Sequence, residues 1–173
     1  DEGDLDMRMN QSQSLCAKEV VNNYEVDELA MMFRKYGELK NAYPIALSID
    51  RYRAEQKIET TTDLKDAVKN NMPPHKRNKI LAQLFQAIRI EVNEEMVALE
   101  EMLLQSIEVL RPGGRLSVIS YHSLEDRLVK NLIKKGKFEG DVDKDFFGNT
   151  LLPLKAINRK PILPTHQFLV QTS

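Results

Sequence analysis

Residues 110–127 read LRPGGRLSVISYHSLEDR, and this stretch decides the expected fold. The run 115–121, with Val118 and Ile119 near its centre, follows a Pro-Gly-Gly turn and predicts a short buried strand. Apolar residues spaced three or four apart predict one helix before the turn and another over 123–135. A helix, a turn, a strand and a helix form one unit of a doubly wound sheet, so the stretch predicts an α/β fold.

The end of this strand is also where chemistry is expected. Ligands of doubly wound sheets bind beyond the carboxyl ends of the strands, so residues 120–123 lie at the predicted binding edge. One strand cannot make a stable sheet, and the remaining sequence offers only short extended pieces near 151–157, 160–163 and 168–172. We therefore expect the sheet in this chain to be incomplete.

Residues 15–92 have a different pattern, which is helical. Val26, Leu29 and Phe33 recur at spacings of three and four, as on the buried face of an amphipathic helix, and acids near its start favour its dipole. The prolines after Met72 end another helical stretch. The region therefore predicts a small all-helical domain.

Several helix boundaries can be predicted from single residues. Thr62 is expected to cap a helix within the helical region, and Asn93 is expected to cap the long helix that follows it. Ser123 is the expected cap of the helix after the strand. Pro44 is expected to interrupt the helical pattern, because proline lacks a backbone N–H.

The composition excludes several classes of protein. With 173 residues, of which 42% are hydrophobic and 29% charged, the chain fits one domain or two small ones with a buried core. No apolar run approaches the roughly 20 residues of a membrane helix, and the acidic start is unlike a secretory signal, so we expect a cytoplasmic protein. One cysteine, Cys16, and three histidines make a disulfide or a metal site unexpected.

The net charge of −1 conceals two basic segments. Residues 69–80 and 127–137 contain lysines and arginines and no acid, whereas 91–108 is rich in glutamate. Basic segments of this kind contact nucleic acid in some proteins and are simply solvated in others. The charge pattern therefore admits an RNA partner without requiring one.

Residues 121–127, directly after the predicted strand, closely resemble the signature of the bacterial 16S ribosomal RNA cytosine-N4 methyltransferase family of the MraW or RsmH type. Three further stretches agree with the family in the same order, at 5–9, 33–38 and 85–93. The resemblance extends from about residue 3 to 164 and corresponds to the later part of a family member. It implies a Rossmann-like S-adenosylmethionine-dependent methyltransferase fold, incomplete here, with an inserted all-helical domain.

The resemblance also implies a division of the chain. Residues 1–14 would link from the preceding part of the methyltransferase domain, 15–92 would be the inserted substrate-recognition domain, and 93–173 would be the later part of the Rossmann-like domain. The implied cofactor is S-adenosyl-L-methionine. Since the sequence shows neither a glycine-rich loop nor a downstream acid for the ribose, we expect this chain alone to bind the donor poorly.

The implied partner is 16S ribosomal RNA in the small ribosomal subunit, with no membrane and no metal, and with a homodimer left open. Methyl transfer to a cytosine amine requires groups that orient the amine and accept its hydrogen bonds, and the base must be flipped out and held against a ring. Glu125, Asp126 and His122 are the catalytic candidates. Tyr121, Ser123, Arg127, Gln86, Arg89 and Asn93 are the substrate-binding candidates, and Met7, Arg8 and Met9 are the candidates near the donor.

Each candidate also has a purely structural interpretation. Acids at 125 and 126 near the start of a helix would interact favourably with the helix dipole. Arg127 could merely pair with them. The polar residues at 86, 89 and 93 could form only a polar helix face, and the methionines could fill a core. Two other functions stay open: a non-catalytic RNA-binding module, and a methyltransferase of the same fold with a protein or small-molecule substrate.

Overall fold

The computed structural model of the protein describes residues 3–158 and 160–163. It divides the chain into two compact units, Asp1–Ala98 and Leu99–Ser173. The extended piece predicted at 168–172 lies outside the described residues. The α-helices are α1 Ala17–Asn23, α2 Val26–Gly37, α3 Ala42–Glu55, α4 Thr61–Val68, α5 Arg77–Val92, α6 Glu95–Val109 and α7 Ser123–Lys135, with short 3₁₀ turns at Lys69–Asn71 and Pro74–Lys76.

The core of the first unit forms around α2, which packs against both α3 and α5. The apolar stripe predicted for α2 is confirmed, since Leu29 and Phe33 are fully buried. Burying side chains of this size stabilises a fold by about 1.5–3 kcal/mol each. Leu29 and Phe33 share the core with Ile45 and Ile49 of α3, Leu64 of α4, and Leu84 and Ile88 of α5.

Residues 3–14 contribute Leu5 to this core, and Met7 packs against it. Leu5 is fully buried, its N–H donates to the Glu59 carbonyl (2.9 Å), and its carbonyl accepts from the Lys18 N–H (2.9 Å). Asp4 and Thr60 form an isolated antiparallel bridge. The segment is therefore fixed to the start of α1 and to the residues before α4.

The boundary predictions at Thr62 and Pro44 are wrong. The cap of α4 is Thr60, not Thr62, because the Thr60 hydroxyl accepts from the Asp63 N–H (3.1 Å) and the Asp63 carboxylate accepts from the Thr60 N–H (2.8 Å). Three residues after Thr62 stands Lys65, whose side chain cannot accept a hydrogen bond from the Thr62 N–H. Pro44 does not break a helix; it lies in the first turn of α3, where a missing N–H removes no intrahelical bond.

The acids near the start of α2 do stabilise it as predicted. Glu25 is the residue before the helix, and the Glu28 carboxylate accepts its backbone N–H (2.8 Å) in a reciprocal capping arrangement. Asp27 and Glu28 both stand in the first turn, where the helix dipole favours negative charge.

The strand predicted at 115–121 is not formed within the described residues. This segment has no ladder partner among the described residues, and Ile119 is 82% exposed. Within 3–158 and 160–163 the only β-type pairings are two isolated bridges. A strand exists only when a neighbour completes its hydrogen bonds, so a favourable local sequence is insufficient. The pieces at 151–157 and 160–163 form no strand either.

The second unit contains most of α6, the glycine turn and α7, which begins and ends as predicted at 123 and 135. Gly113 in the turn has a φ of +83°, which a side chain would strain. Beyond α7, the segment 143–151 closes on itself through the Asp145 N–H to the Asn149 carbonyl (2.9 Å) and the Leu151 N–H to the Asp143 carbonyl (3.0 Å). Within the described residues, no helix combines the length and the apolar character needed to cross a membrane.

Replacing Gly37 with alanine tests the close approach of α2 and α5. A Cβ at Gly37 would lie 2.8 Å from the Gln83 backbone oxygen of α5 and 3.3 Å from the Ala87 Cβ. We expect Gly37→Ala to lower the free energy of unfolding by about 1–3 kcal/mol, measured by urea denaturation, although alanine favours a helix. Gly3→Ala is the control, since nothing lies within 4 Å of its added Cβ. Equal stability of the two variants would contradict the packing.

Candidate functional site

The start of α7 is held by a reciprocal capping box. His122, with extended backbone (φ −141°, ψ 167°), is the residue before the helix, and its ring Nδ1 accepts from the Glu125 N–H (3.4 Å). One Glu125 carboxylate oxygen accepts from the N–H groups of Tyr121 (2.6 Å) and His122 (3.3 Å). The prediction of Ser123 as cap is therefore wrong, because Ser123 is already the first helical residue.

The capping box separates the two candidate acids. Glu125 is half-buried, and its carboxylate is occupied with backbone N–H groups. Asp126 is exposed, and among the described residues its carboxylate makes no hydrogen bond or ion pair; only its backbone N–H is engaged, donating to the His122 carbonyl (3.2 Å). Asp126 is thus the acid that remains open to a ligand.

The other candidates of this segment lie on the surface. Tyr121 is 90% exposed, which leaves its ring faces open to stacking. Ser123 and Arg127 are exposed in the first two turns of α7, and both have interaction partners. His122 differs from them, since only 11% of its side chain is exposed. The segment therefore carries an exposed aromatic ring at Tyr121, an open carboxylate at Asp126 and a nearly buried imidazole at His122.

A second cluster of candidates lies in the first unit, in the loop of residues 6–13. The Arg8 guanidinium donates to both Asp6 carboxylate oxygens (2.7 and 2.9 Å) and to the carbonyls of Gln11 (3.2 Å) and Gln13 (2.8 Å). These bonds from the Arg8 side chain, with one from its backbone N–H, lower the pKa of Asp6 from 3.8 to about 2. Arg8 is therefore occupied in shaping the loop.

Asn93 fastens this loop to the end of α5. Its side-chain N–H groups donate to the carbonyls of Met7 (2.9 Å) and Arg89 (2.8 Å), and its side-chain oxygen accepts from the Met9 N–H (2.7 Å). The clasp holds Met7 at a φ of +63°, in the left-handed region that few side chains adopt. Met7 packs against the core, whereas Met9 is 71% exposed.

The prediction that Asn93 caps the following helix is wrong. Asn93 is the residue that ends α5, and α6 begins at Glu95, after Glu94 with a φ of +49°. The left-handed backbone at Glu94 separates the two helices, and the Asn93 amide satisfies carbonyls at the end of α5 and in the loop. Asn93 therefore acts at a helix end and not at a helix start.

The other two polar candidates on α5 also have partners inside the first unit. Gln86 donates to the Tyr36 carbonyl at the end of α2 (3.1 Å), and Arg89 forms a two-pronged pair with Glu95 (2.8 and 3.1 Å). Together with the Asn93 clasp, these bonds fix the end of α5. The geometry gives all three residues a structural role, and a role in RNA contact stays a prediction.

The role of His122 as a cap is the feature that the sequence interpretation missed. The signal was present in the spacing, because His122 and Glu125 are separated as the two members of a capping box are, directly before an apolar helical pattern. Histidine is not among the usual capping residues, so the spacing was assigned to Ser123. Among the described residues, no group of three or more His, Cys, Asp or Glu side chains could hold a metal ion.

Comparison with known protein families identifies the chain as a methylase-family protein, since residues 1–171 match a family of methylases. The chain belongs to the MraW methylase family, as its resemblance predicted. It is 52% identical over 172 residues to the ribosomal RNA small subunit methyltransferase H of Amoebophilus asiaticus, covering 99% of this chain and 56% of that relative.

Two further relatives carry the same name. The protein of Flavobacterium johnsoniae is 54% identical over 158 residues, covering 91% of this chain and 52% of the relative. The protein of Parabacteroides distasonis is 51% identical over 166 residues, covering 96% of this chain and 54% of the relative. The chain spans about half the length of the curated relatives it matches.

Removing the Asn93 amide should loosen the loop of residues 6–13. We expect Asn93→Ala to lower the free energy of unfolding by about 1–3 kcal/mol, because three side-chain hydrogen bonds to backbone groups are lost, one of them to the part-buried Met7 carbonyl. Amide hydrogen exchange at Met9 should accelerate at the same time. Asn23→Ala is the control, because within the described part of the chain the Asn23 side chain bonds only to Glu19, at the exposed end of α1. Unchanged exchange at Met9 would contradict the clasp.

The low pKa of Asp6 predicts how the stability depends on pH. Because Asp6 has a lower pKa in the folded chain (about 2) than the usual 3.8, it stabilises the fold above pH 3.8. This contribution is lost as the pH falls from about 4 through 2. In urea denaturation at each pH, the wild type should lose more stability over this interval than Asp6→Asn. The exposed Asp141→Asn should follow the wild type, and parallel curves for Asp6→Asn would refute the assignment.

Proposed function

We propose that this chain forms part of an S-adenosylmethionine-dependent methyltransferase that modifies N4 of a cytidine in 16S ribosomal RNA of the small ribosomal subunit. The observation that carries the proposal is the 52% identity to a ribosomal RNA small subunit methyltransferase H across 99% of the chain. The geometry supports it, since the segment that resembles the family signature holds an exposed ring, that of Tyr121, and an exposed carboxylate, that of Asp126, around the start of α7.

We also propose that residues 115–121 become a strand of a Rossmann-like sheet once partner strands are present. Two observations support this arrangement. Leu116 and Val118 are half-buried while Arg115, Ser117 and Ile119 are exposed, which is the alternation of a strand with two faces. The segment also lies between α6 and α7, as a strand does in a doubly wound fold. The helical region 15–92 would then be the inserted substrate-recognition domain.

In this proposal, Asp126 orients the target amine. The amine of cytosine is a weak nucleophile, because its lone pair is delocalised into the ring, so its hydrogens need an acceptor that holds it in line for displacement. The Asp126 carboxylate is open, whereas the Glu125 carboxylate is occupied in the capping box. Tyr121 would stack on the flipped base.

S-adenosylmethionine supplies an electrophilic methyl group on its sulfonium. In the segment expected near the donor, the Arg8 guanidinium is occupied by Asp6 and loop carbonyls, so the exposed Met9 side chain is the group that fits a ligand, through an apolar contact. The remaining donor contacts would come from outside this chain's described residues.

Part of each basic segment is available to RNA. Lys135 and Lys137 are occupied by the Gly140 carbonyl (3.0 Å) and Asp143 (2.6 Å), but Lys130 and Lys134 are exposed on α7. Lys76, Arg77 and Lys79 are exposed around the start of α5. Exposed cations of this kind contact phosphates and make binding depend on salt.

The test uses a protein of family length, in which this chain is completed by the part of the Amoebophilus asiaticus relative that the match leaves uncovered; we call it the full-length enzyme. The wild type should methylate cytidine in small ribosomal subunits, and no methylation would refute the proposed function. Asp126→Asn should slow single-turnover methylation by about 100-fold with an unchanged melting temperature.

The matched control is Asp27→Asn. Asp27 is another exposed acid in the first turn of a helix, so its loss removes a comparable dipole interaction of about 0.3–1 kcal/mol without touching the proposed site. Its rate should equal that of the wild type. Equal rates for Asp126→Asn and Asp27→Asn would remove Asp126 from the reaction while leaving the proposed function intact.

A further inference from the structure

The imidazole of His122 is nearly buried at the start of α7. One of its two ring nitrogens makes a hydrogen bond, and the other makes none. Nδ1 accepts the Glu125 N–H (3.4 Å) as part of the capping box. Among the described residues, Nε2 of His122 is the one buried side-chain nitrogen or oxygen without a hydrogen-bond partner. A Glu125 carboxylate oxygen lies 3.5 Å from Nε2, but the pair makes no hydrogen bond.

The capping box fixes where the proton of the ring must be. A ring nitrogen that accepts a hydrogen bond carries no proton, and neutral imidazole has a single N–H. With Nδ1 accepting, that proton lies on Nε2, so Nε2 can only donate. The Glu125 carboxylate cannot turn towards it freely, because its other oxygen accepts from Tyr121 and His122. Buried donors are nearly always paired in folded proteins, so the Nε2–H requires an acceptor.

We propose that His122 is a specificity-determining donor, whose Nε2–H binds the N3 acceptor on the pairing edge of the target cytosine. The inference rests on the proposed function. His122 directly precedes α7 and Asp126 lies in its first turn, so the two side chains belong to the same helix end. This helix end carries one donor and one open acceptor.

That pair matches cytosine and not uracil. Along its pairing edge cytosine presents an amine donor and then the N3 and O2 acceptors, so Asp126 can accept from the amine while His122 donates to the neighbouring acceptor. Uracil presents an acceptor at O4 and a donor at N3. Its O4 would face the Asp126 carboxylate, which is also an acceptor, and its N3–H would face the Nε2–H of His122, which is also a donor. In this arrangement His122 positions and selects the base, and it takes no proton from the amine.

The tautomer can be measured directly on this chain. In ¹⁵N-histidine-labelled protein, long-range ¹H–¹⁵N correlation spectra distinguish a protonated from an unprotonated ring nitrogen. The chain has three histidines, and the His122→Ser variant identifies the signals of His122 by their loss. We expect a protonated Nε2 and an unprotonated Nδ1. A protonated Nδ1 in the neutral ring would overturn the proposal, independently of any activity.

The donor role is tested in the full-length enzyme with two neutral capping residues. Serine and asparagine both cap helices well, so His122→Ser and His122→Asn should keep the melting temperature. His122→Ser cannot reach the base, and we expect its kcat/KM to fall by about 10- to 100-fold. His122→Asn retains an amide donor and should recover part of this loss.

The discrimination between bases gives a readout that a merely structural histidine would not affect. Small subunits with the target cytidine changed to uridine serve as competitors of unchanged subunits. They should compete weakly for the wild-type enzyme and more strongly for His122→Ser. If the wild type methylates but His122→Ser keeps its kcat/KM and its discrimination, the inference fails alone. If the wild type does not methylate at all, the proposed function fails.

Discussion

The first unit depends on the burial of one apolar stripe, that of α2, between α3 and α5. Leu29 and Phe33 can be buried from both sides only because Gly37 lets α5 approach the end of α2. Once these three helices are fixed, the end of α5 has a defined position. The loop of residues 6–13 then has a rigid surface to which Asn93 fastens it.

Side-chain to backbone hydrogen bonds decide which polar residues remain available for function. At α7 the capping box occupies Glu125 and one nitrogen of His122, and it leaves Asp126 open. In the first unit, the same kind of bond occupies Arg8 and Asn93. Residues that look equivalent in the sequence therefore differ in what they can offer to a ligand, because backbone groups must be satisfied first.

The helices could be predicted because their signal is local: apolar residues at three- and four-residue spacing identify α2 and α7 from the sequence alone. The strand at 115–121 could not be established in the same way, since its hydrogen bonds belong to partners distant in sequence. Caps were misplaced by one or two residues, at Thr60 and at His122, because a cap depends on a reciprocal partner. The segment of the site was predicted, but the division of roles between Glu125 and Asp126 required the geometry.

The Asn93 clasp joins parts of the chain that are made far apart in time. Its bonds to Met9 and Met7 span 84 and 86 positions of sequence. A chain that grows on the ribosome, at about 5–20 residues per second, must wait several seconds after making the loop before its fastening residue exists. During that interval Met7 and Leu5 lack the surfaces that bury them, so the newly made segment is exposed to chaperones and to premature association.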